Sequence, residues 1–218
     1  MFSAGMREMT LTHGCFISYR HTGGLSERFV TQLKPALEAY LREMDLPHGE
    51  HVWQDRYEIA PGEDFNITIA KAICSSVCMV TVFTPQYFTY DKVYCAREYQ
   101  AMRAFEQKRR ALLGDDAIGF IIPIRLMGDP PRMIAGEKNY VDMSRFKLHT
   151  KLDRAAFFSN EIFRIARQIE ECYKRLRRVE STLGEDCRSF RLTDEEETKS
   201  WMVNEGLVAA PEPVLPFR

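Results

Sequence analysis

The sequence predicts an α/β domain built on a parallel, doubly wound sheet, and three observations predict it. β-prone runs alternate with amphipathic helical stretches from about residue 15 to residue 178. Val77 to Thr84 (VCMVTVFT) is an almost continuous β-branched and apolar run, the pattern of a central strand covered by helices on both faces. Ser159 to Arg178 closes the series as a long amphipathic helix with Ile162, Ala166, Ile169, Tyr173 and Leu176 on one side. A chain of 218 residues with 45% hydrophobic content suits one main domain with appendages.

The elements follow in order. Cys15-Phe16-Ile17-Ser18-Tyr19 is a short strand, ended by the turn-forming His21-Thr22-Gly23-Gly24. From Ser26 the spacing predicts a helix with Val30, Leu33, Leu37, Tyr40, Leu41 and Met44 on one stripe, bent or loosened at Pro35. His51 to Asp55 reads as a second strand, and Pro61-Gly62-Glu63-Asp64 leads into a helix with Phe65, Ile69, Ala72 and Ile73 inward. After the central strand, Asp91 to Gln107 is helical and buries some of Val93, Tyr94, Ala101, Met102 and Phe105. A Gly114-Asp115-Asp116 turn precedes a buried strand, Ile118 to Ile124. Beyond the proline-rich loop at Gly128 to Pro131, Asn139 to Met143 supplies a fifth strand. Thr193-Asp194-Glu195-Glu196 has capping-box form, so a short C-terminal helix at about 194–204 is expected, stopped by Gly206. Pro211, Pro213 and Pro216 mark an extended tail. The expected division is a tail at 1–12, a domain at 13–180 and an extension at 181–218.

Composition narrows the function. Thirty Lys+Arg against thirty-one Asp+Glu give a formal charge of -1, so no global field draws the chain to nucleic acid or to a membrane surface. No run of about 18 apolar residues occurs, and Met1 to Thr12 lacks a secretory apolar core. The six cysteines show no metal-ligand spacing and are expected to be reduced thiols of a cytoplasmic protein. No metal site is expected.

Three segments then carry a family resemblance: Cys15-Phe16-Ile17-Ser18-Tyr19-Arg20, then Trp53-Gln54-Asp55 with Pro61-Gly62, then Tyr94-Cys95-Ala96-Arg97-Glu98. In that order they resemble the successive sequence boxes of TIR (Toll/interleukin-1 receptor) domains, and in particular of stand-alone bacterial members. The resemblance covers roughly Cys15 to Arg178. It implies a flavodoxin-like five-stranded sheet of order 2-1-3-4-5, with ligands beyond the carboxyl ends of the strands.

Catalytic members of that family cleave the nicotinamide–ribose bond of NAD+ with a glutamate at the position of Glu98, read here as an exposed carboxylate. One carboxylate suffices chemically, because nicotinamide leaves a cationic pyridinium as a neutral molecule and needs no leaving-group acid. Glu98 would hold the ribose and stabilise oxocarbenium-like charge. The resemblance implies substrate contacts from Tyr19 and Arg20 at the end of the first strand, with Arg20 near the phosphates. It implies a flat wall from Tyr94, where many members carry Trp, one turn before Glu98. Asp55 and the loop through Pro61 and Gly62 would cover the site and meet a neighbouring subunit. NAD+ is then a substrate and not a retained cofactor.

The plainer readings stand beside these. Glu98 alone reads as a solvated helix charge, Tyr19 as a packing residue and Arg20 as a surface cation. Cys95 and Trp53 read as core, His21 as a solvent-facing loop histidine, and Lys174 to Arg178 as a solvated face interleaved with acids. Two functions therefore compete. One is an NAD+ nucleosidase giving ADP-ribose or a cyclic or conjugated signal, acting in bacterial antiphage defence. The other is a non-catalytic module that assembles with other TIR domains. Self-association and a defence partner meeting the extension are expected in either case. A phosphate-receiving domain is excluded, because Ser18-Tyr19 and Thr84-Pro85 stand where its acids would be, and no GxGxxG supports a Rossmann dehydrogenase.

Overall fold

The computed structural model describes residues 11–209 except 45, 47–50, 55–57, 137–138, 155 and 180–186. The expected N-terminal tail lies almost wholly outside the described residues, as do Asp55 and the proline-rich tail. Five parallel strands form one sheet of order β2-β1-β3-β4-β5: β1 (His13–Tyr19), β2 (Val52–Trp53), β3 (Ser76–Phe83), β4 (Ile121–Arg125) and β5 (Val141–Asp142). This is the flavodoxin-like order expected. Every residue of β3 is buried, as its unbroken apolar run requires of the strand at the centre of the order. The second and fifth strands are shorter than expected, two paired residues each.

Helices cover both faces. On one side lie α1 (Leu25–Glu43) and, late in the chain, a helix at Ala156–Arg177; on the other lie α2 (Phe65–Cys74), α3 (Tyr94–Leu113) and a last helix at Glu195–Asn204. With one turn of helix at Arg132–Ala135 as α4, the two late helices are α5 and α6. The stripe Phe29, Val30, Leu33, Leu37 and Leu41 buries α1 against the sheet. Pro35 does not interrupt this helix, because it sits on the exposed side, where water can reach the carbonyl its missing N–H leaves unbonded. In α5 the expected stripe is buried throughout.

Buried polar groups on α3 tie the strand entries together. The Arg109 guanidinium, fully buried, donates to the carbonyls of Cys74, at the end of α2, and of Ser76 and Val77, at the start of β3. Glu106 accepts from the N–H groups of Phe120 and Ile121 at 2.7 and 3.3 Å, at the start of β4. Backbone groups that the sheet leaves unbonded are thus satisfied by charged side chains, which explains how two charges lie in an apolar layer.

The extension packs on this same side. Asp194, not Thr193, is the N-cap of α6 and accepts from the Glu197 N–H at 2.8 Å. Thr198 donates to Gln100, and Arg97 donates to the Thr193 carbonyl at 2.6 Å. Met202 is fully buried, and Trp201 packs on Phe88 and Tyr99.

One cysteine expectation is corrected. Cys74, the last residue of α2, is disulfide-bonded to Cys187, with the two Cα atoms 5.5 Å apart. The pairing closes a separation of 113 residues that no local spacing rule detects. The thiols of Cys15, Cys78, Cys95 and Cys172 are free and buried. Burial pushes Cys15 and Cys78 well up and Cys172 up to about 12, so none of these three is a thiolate nucleophile at neutral pH. No helix among the described residues is long and apolar enough to cross a membrane.

Candidate functional site

The carboxyl ends of β1 and β3 and the first turns of α3 meet at one rim of the sheet. Strand alternation decides what each contributes. Phe16 packs in the layer beneath α2 and α3, whereas Cys15, Ile17 and Tyr19 pack beneath α1 and α5. Ser18 therefore shares the face of Phe16 and points at α3. Its register partner on β3, Thr81, shares that face with Met79 and Phe83, and its hydroxyl is buried without a protein partner.

Glu98 is not exposed; the residue is only 4% accessible. Its place on α3 explains this, since Glu98, Met102, Phe105 and Arg109 fall on one helical stripe, all buried. Ser18 Oγ donates to Glu98 Oε2 at 2.5 Å and also lies 2.6 Å from the Tyr87 hydroxyl. Tyr87 is delivered by the turn after β3, closed by its N–H on the Thr84 carbonyl at 2.9 Å, and its ring packs against Phe83 and Phe88. Burial, then the nearby Cys95 and Glu98, push the Tyr87 phenol well up, so it keeps its proton. Ser18 has a single proton and commits it to a carboxylate, so Tyr87 donates to Ser18. A chain of donors runs Tyr87 to Ser18 to Glu98. Neither hydroxyl was among the site residues that the sequence suggests.

The other expected site residues are distributed as follows. Tyr19 is buried on the opposite face of the sheet, its hydroxyl accepting from Gln54 Nε2 at 2.7 Å and its ring 4.3 Å from that of His21. Arg20 stands just past the end of β1, half-buried; its carbonyl accepts from Ser26, and its Nε is buried without a hydrogen-bond partner. Tyr94, read both as one of several residues that could pack in the helix stripe and as a wall facing substrate, is 45% exposed as the first residue of α3. Phe65, expected inward, is 37% exposed for the same reason, as the first residue of α2. The two rings meet edge to face at 5.2 Å, with the Arg97 guanidinium 5.8 Å above Tyr94. Pro61 and Gly62 are exposed, and Gly62 takes a φ of 92 degrees in the turn before α2, a conformation glycine adopts at little cost. Asp55 is not among the described residues. Cys95 and Trp53 are core, as expected, with Trp53 stacked on Phe16 at 4.7 Å.

A cavity of about 580 Å³ lies at this rim between Phe83, Thr84, Pro85 and Phe88 on one side and Glu205 to Leu207 of the extension on the other. Two larger ones lie elsewhere, beside β4 and β5 and along the outer face of α1. None of these three is lined by Glu98. Among the described residues no three His, Cys, Asp or Glu side chains gather as a metal site.

The family model described as the TIR domain matches residues 15–156, more than half of the chain. A search of curated proteins finds no match.

Proposed function

The chain belongs to the TIR domain family, and from that premise we propose that it is an NAD+ glycohydrolase. It would cleave the nicotinamide–ribose bond to give nicotinamide and ADP-ribose, or a cyclic or conjugated ADP-ribose signal. The observation that carries this reading is Glu98, a buried carboxylate at the sheet rim, at the position the resemblance assigns to the glutamate of catalytic members. Taking a carboxylate out of water costs several kcal/mol, so a buried carboxylate is held at a cost to the fold. Glu106 shows what a structural carboxylate does here: it satisfies strand N–H groups. Glu98 accepts a hydrogen bond from a side-chain hydroxyl, an arrangement that suits a group kept for chemistry.

In this reading the Glu98 anion faces the positive charge that develops on the ribose as nicotinamide departs with its bonding electrons. In a site of low dielectric that anion acts more strongly than in water. The leaving base needs no proton, so a single carboxylate serves. Arg20, with its Nε lacking a protein partner, is the candidate for the phosphates, and the exposed Tyr94 ring is the candidate wall for the base.

Substrate must reach a carboxylate that is 4% accessible, so turnover requires a rearrangement at the rim. TIR domains commonly self-associate, and assembly is the natural source of that rearrangement. The isolated chain should therefore be weakly active, with the oligomer as the working form in the cytoplasm during antiphage defence. The extension from about residue 181 would meet a partner protein.

The burial of Glu98 also favours a second reading, a non-catalytic module that assembles with other TIR domains and uses no substrate. Incubation with NAD+, dilute and then oligomerised, with products identified by mass spectrometry, separates the two. Nicotinamide release that is lost in Glu98→Ala supports the enzyme. Undiminished release by the folded variant, or none from the assembled wild type, rules it out.

A further inference from the structure

We propose that Ser18 and Tyr87 are positioning residues for Glu98: a fixed chain of two hydroxyl donors that aims the carboxylate at the reacting ribose and keeps it an anion. The inference deepens the NAD+-cleaving reading of the same site and rests on it.

Three features carry it. The 2.5 Å from Ser18 to Glu98 is the distance of a charge-assisted O–H···O bond, and the Ser18 and Tyr87 oxygens are 2.6 Å apart, a short bond between neutral hydroxyls. The chain has one direction. Tyr87 occupies a lone pair of Ser18, which leaves the serine proton only one acceptor, and that acceptor is the carboxylate. The two hydroxyls also sit where packing does not call for them. Ser18 interrupts the apolar run of β1 on the face that Phe16 fills with a ring, and Tyr87 lies in an aromatic cluster with Phe83 and Phe88. With the unpartnered hydroxyl of Thr81 beside Ser18 in register, they form a polar floor in an otherwise apolar layer. Such a group of polar atoms costs stability against apolar neighbours of equal size, so its role is sought in the chemistry.

The chain acts in two ways. It fixes the plane of the carboxylate, which bears on orientation in the transition state. It also stabilises the charged form, because a buried carboxylate that loses a donor becomes harder to ionise. Ser18 and Tyr87 touch Glu98 and each other, and neither is required to touch substrate.

The test uses the full chain, assembled, with NAD+ as the probe and nicotinamide release measured across pH for the wild type, Ser18→Ala, Ser18→Thr, Tyr87→Phe and Glu98→Ala. For Ser18→Ala, kcat should fall about 10- to 100-fold, the range for removing a group that orients a catalytic ligand, while KM changes less than about twofold. The acid limb of its profile should move to higher pH, Ser18→Thr should restore both, and Tyr87→Phe should fall between. A folded Ser18→Ala with the wild-type kcat and pH profile overturns the inference while leaving the NAD+ reading intact. Full activity in Glu98→Ala overturns the NAD+ reading itself. Carbon NMR of the Glu98 carboxylate decides the matter without turnover. Its titration midpoint should move up by about one pH or more in Ser18→Ala, and an unmoved midpoint overturns the inference.

Discussion

Trp201 of the extension lies over Tyr99 of α3, with ring centroids 6.4 Å apart and planes inclined by 27 degrees, and it meets Phe88 edge to face. Tyr99 is the residue after Glu98. The extension is thus packed against the helix that carries the candidate carboxylate, and its aromatic contacts contribute to where that helix sits.

Trp201→Ala should therefore destabilise the whole domain. A fully buried Trp costs about 3–5 kcal/mol when truncated, so for this half-buried ring about 2–3 kcal/mol is expected. Urea titration should give a lower midpoint with an unchanged slope, since the unfolded chain exposes the same surface. A midpoint equal to the wild type would mean that α6 is an appendage and not part of the cooperative unit.

The bond from Cys74 to Cys187 ties the start of the same extension to α2. Closing a loop of this length restricts the unfolded chain by up to about 4–5 kcal/mol, with about 2–4 kcal/mol the common outcome. Reducing agent and Cys187→Ser should therefore lower stability equally, and the variant should not respond to reductant. Thiol titration of the unfolded, unreduced protein should find the four free cysteines and no more. Six reactive thiols would show that the pair is reduced in the protein as made, as the sequence alone suggests.

Much of this architecture is legible in the sequence because it follows from local periodicity. The run at Val77 to Thr84 announces the central strand, and the 3.6-residue spacing announces α1 and α5. The burial of Glu98 was legible too, since Met102 and Phe105 lie one and two turns beyond it on the same stripe, but a charged residue is assigned to solvent unless its phase is checked. The partners of Glu98 were not legible. Ser18 lies 80 residues away and Tyr87 reaches the site through Ser18, 69 residues from it, and only the pairing of β1 with β3 brings them together. A helix-end residue misled in the other direction. Phe65 fits an apolar stripe, yet as the first residue of its helix it is 37% exposed.

His13, at the start of β1, makes an acid-sensitive point far from the rim. Burial and then the neighbouring His51 ring hold its imidazole down at about 4 against the ordinary 6.5, and its Nδ1 is buried without a hydrogen-bond partner. A base whose folded pKa is lowered binds fewer protons folded than unfolded. The stability it contributes is thus complete above about pH 6.5 and is lost as the pH falls toward about 4. With a tenfold change worth about 1.4 kcal/mol, and allowing for partial exposure of the ring, the loss is roughly 2–3 kcal/mol. Thermal melts at pH 7 and pH 4.5 should show a smaller acid loss in His13→Phe than in the wild type, and equal losses would remove His13 as the cause.

Tyr94 gives the cleanest separation of binding from folding at the candidate site. Its ring is 45% exposed and meets the Phe65 edge and the Arg97 guanidinium at the rim, so truncation opens little of the core. Tyr94→Ala should accordingly shift the urea midpoint little, changing stability by about 0.5 kcal/mol or less. If the ring is a wall for the base, its loss removes an aromatic contact worth about 0.5–1.5 kcal/mol, which raises KM for NAD+ by up to about tenfold. Tyr94→Trp should retain the wild-type KM, because it preserves the flat face and discards only the hydroxyl. Nicotinamide release measured over a range of NAD+ concentrations separates the cases. A raised KM in Tyr94→Ala that Tyr94→Trp does not share identifies a stacking surface. Unchanged kinetics in both would leave Tyr94 and Phe65 as an exposed aromatic pair without a part in substrate binding, and the base would then have to be held by another part of the rim.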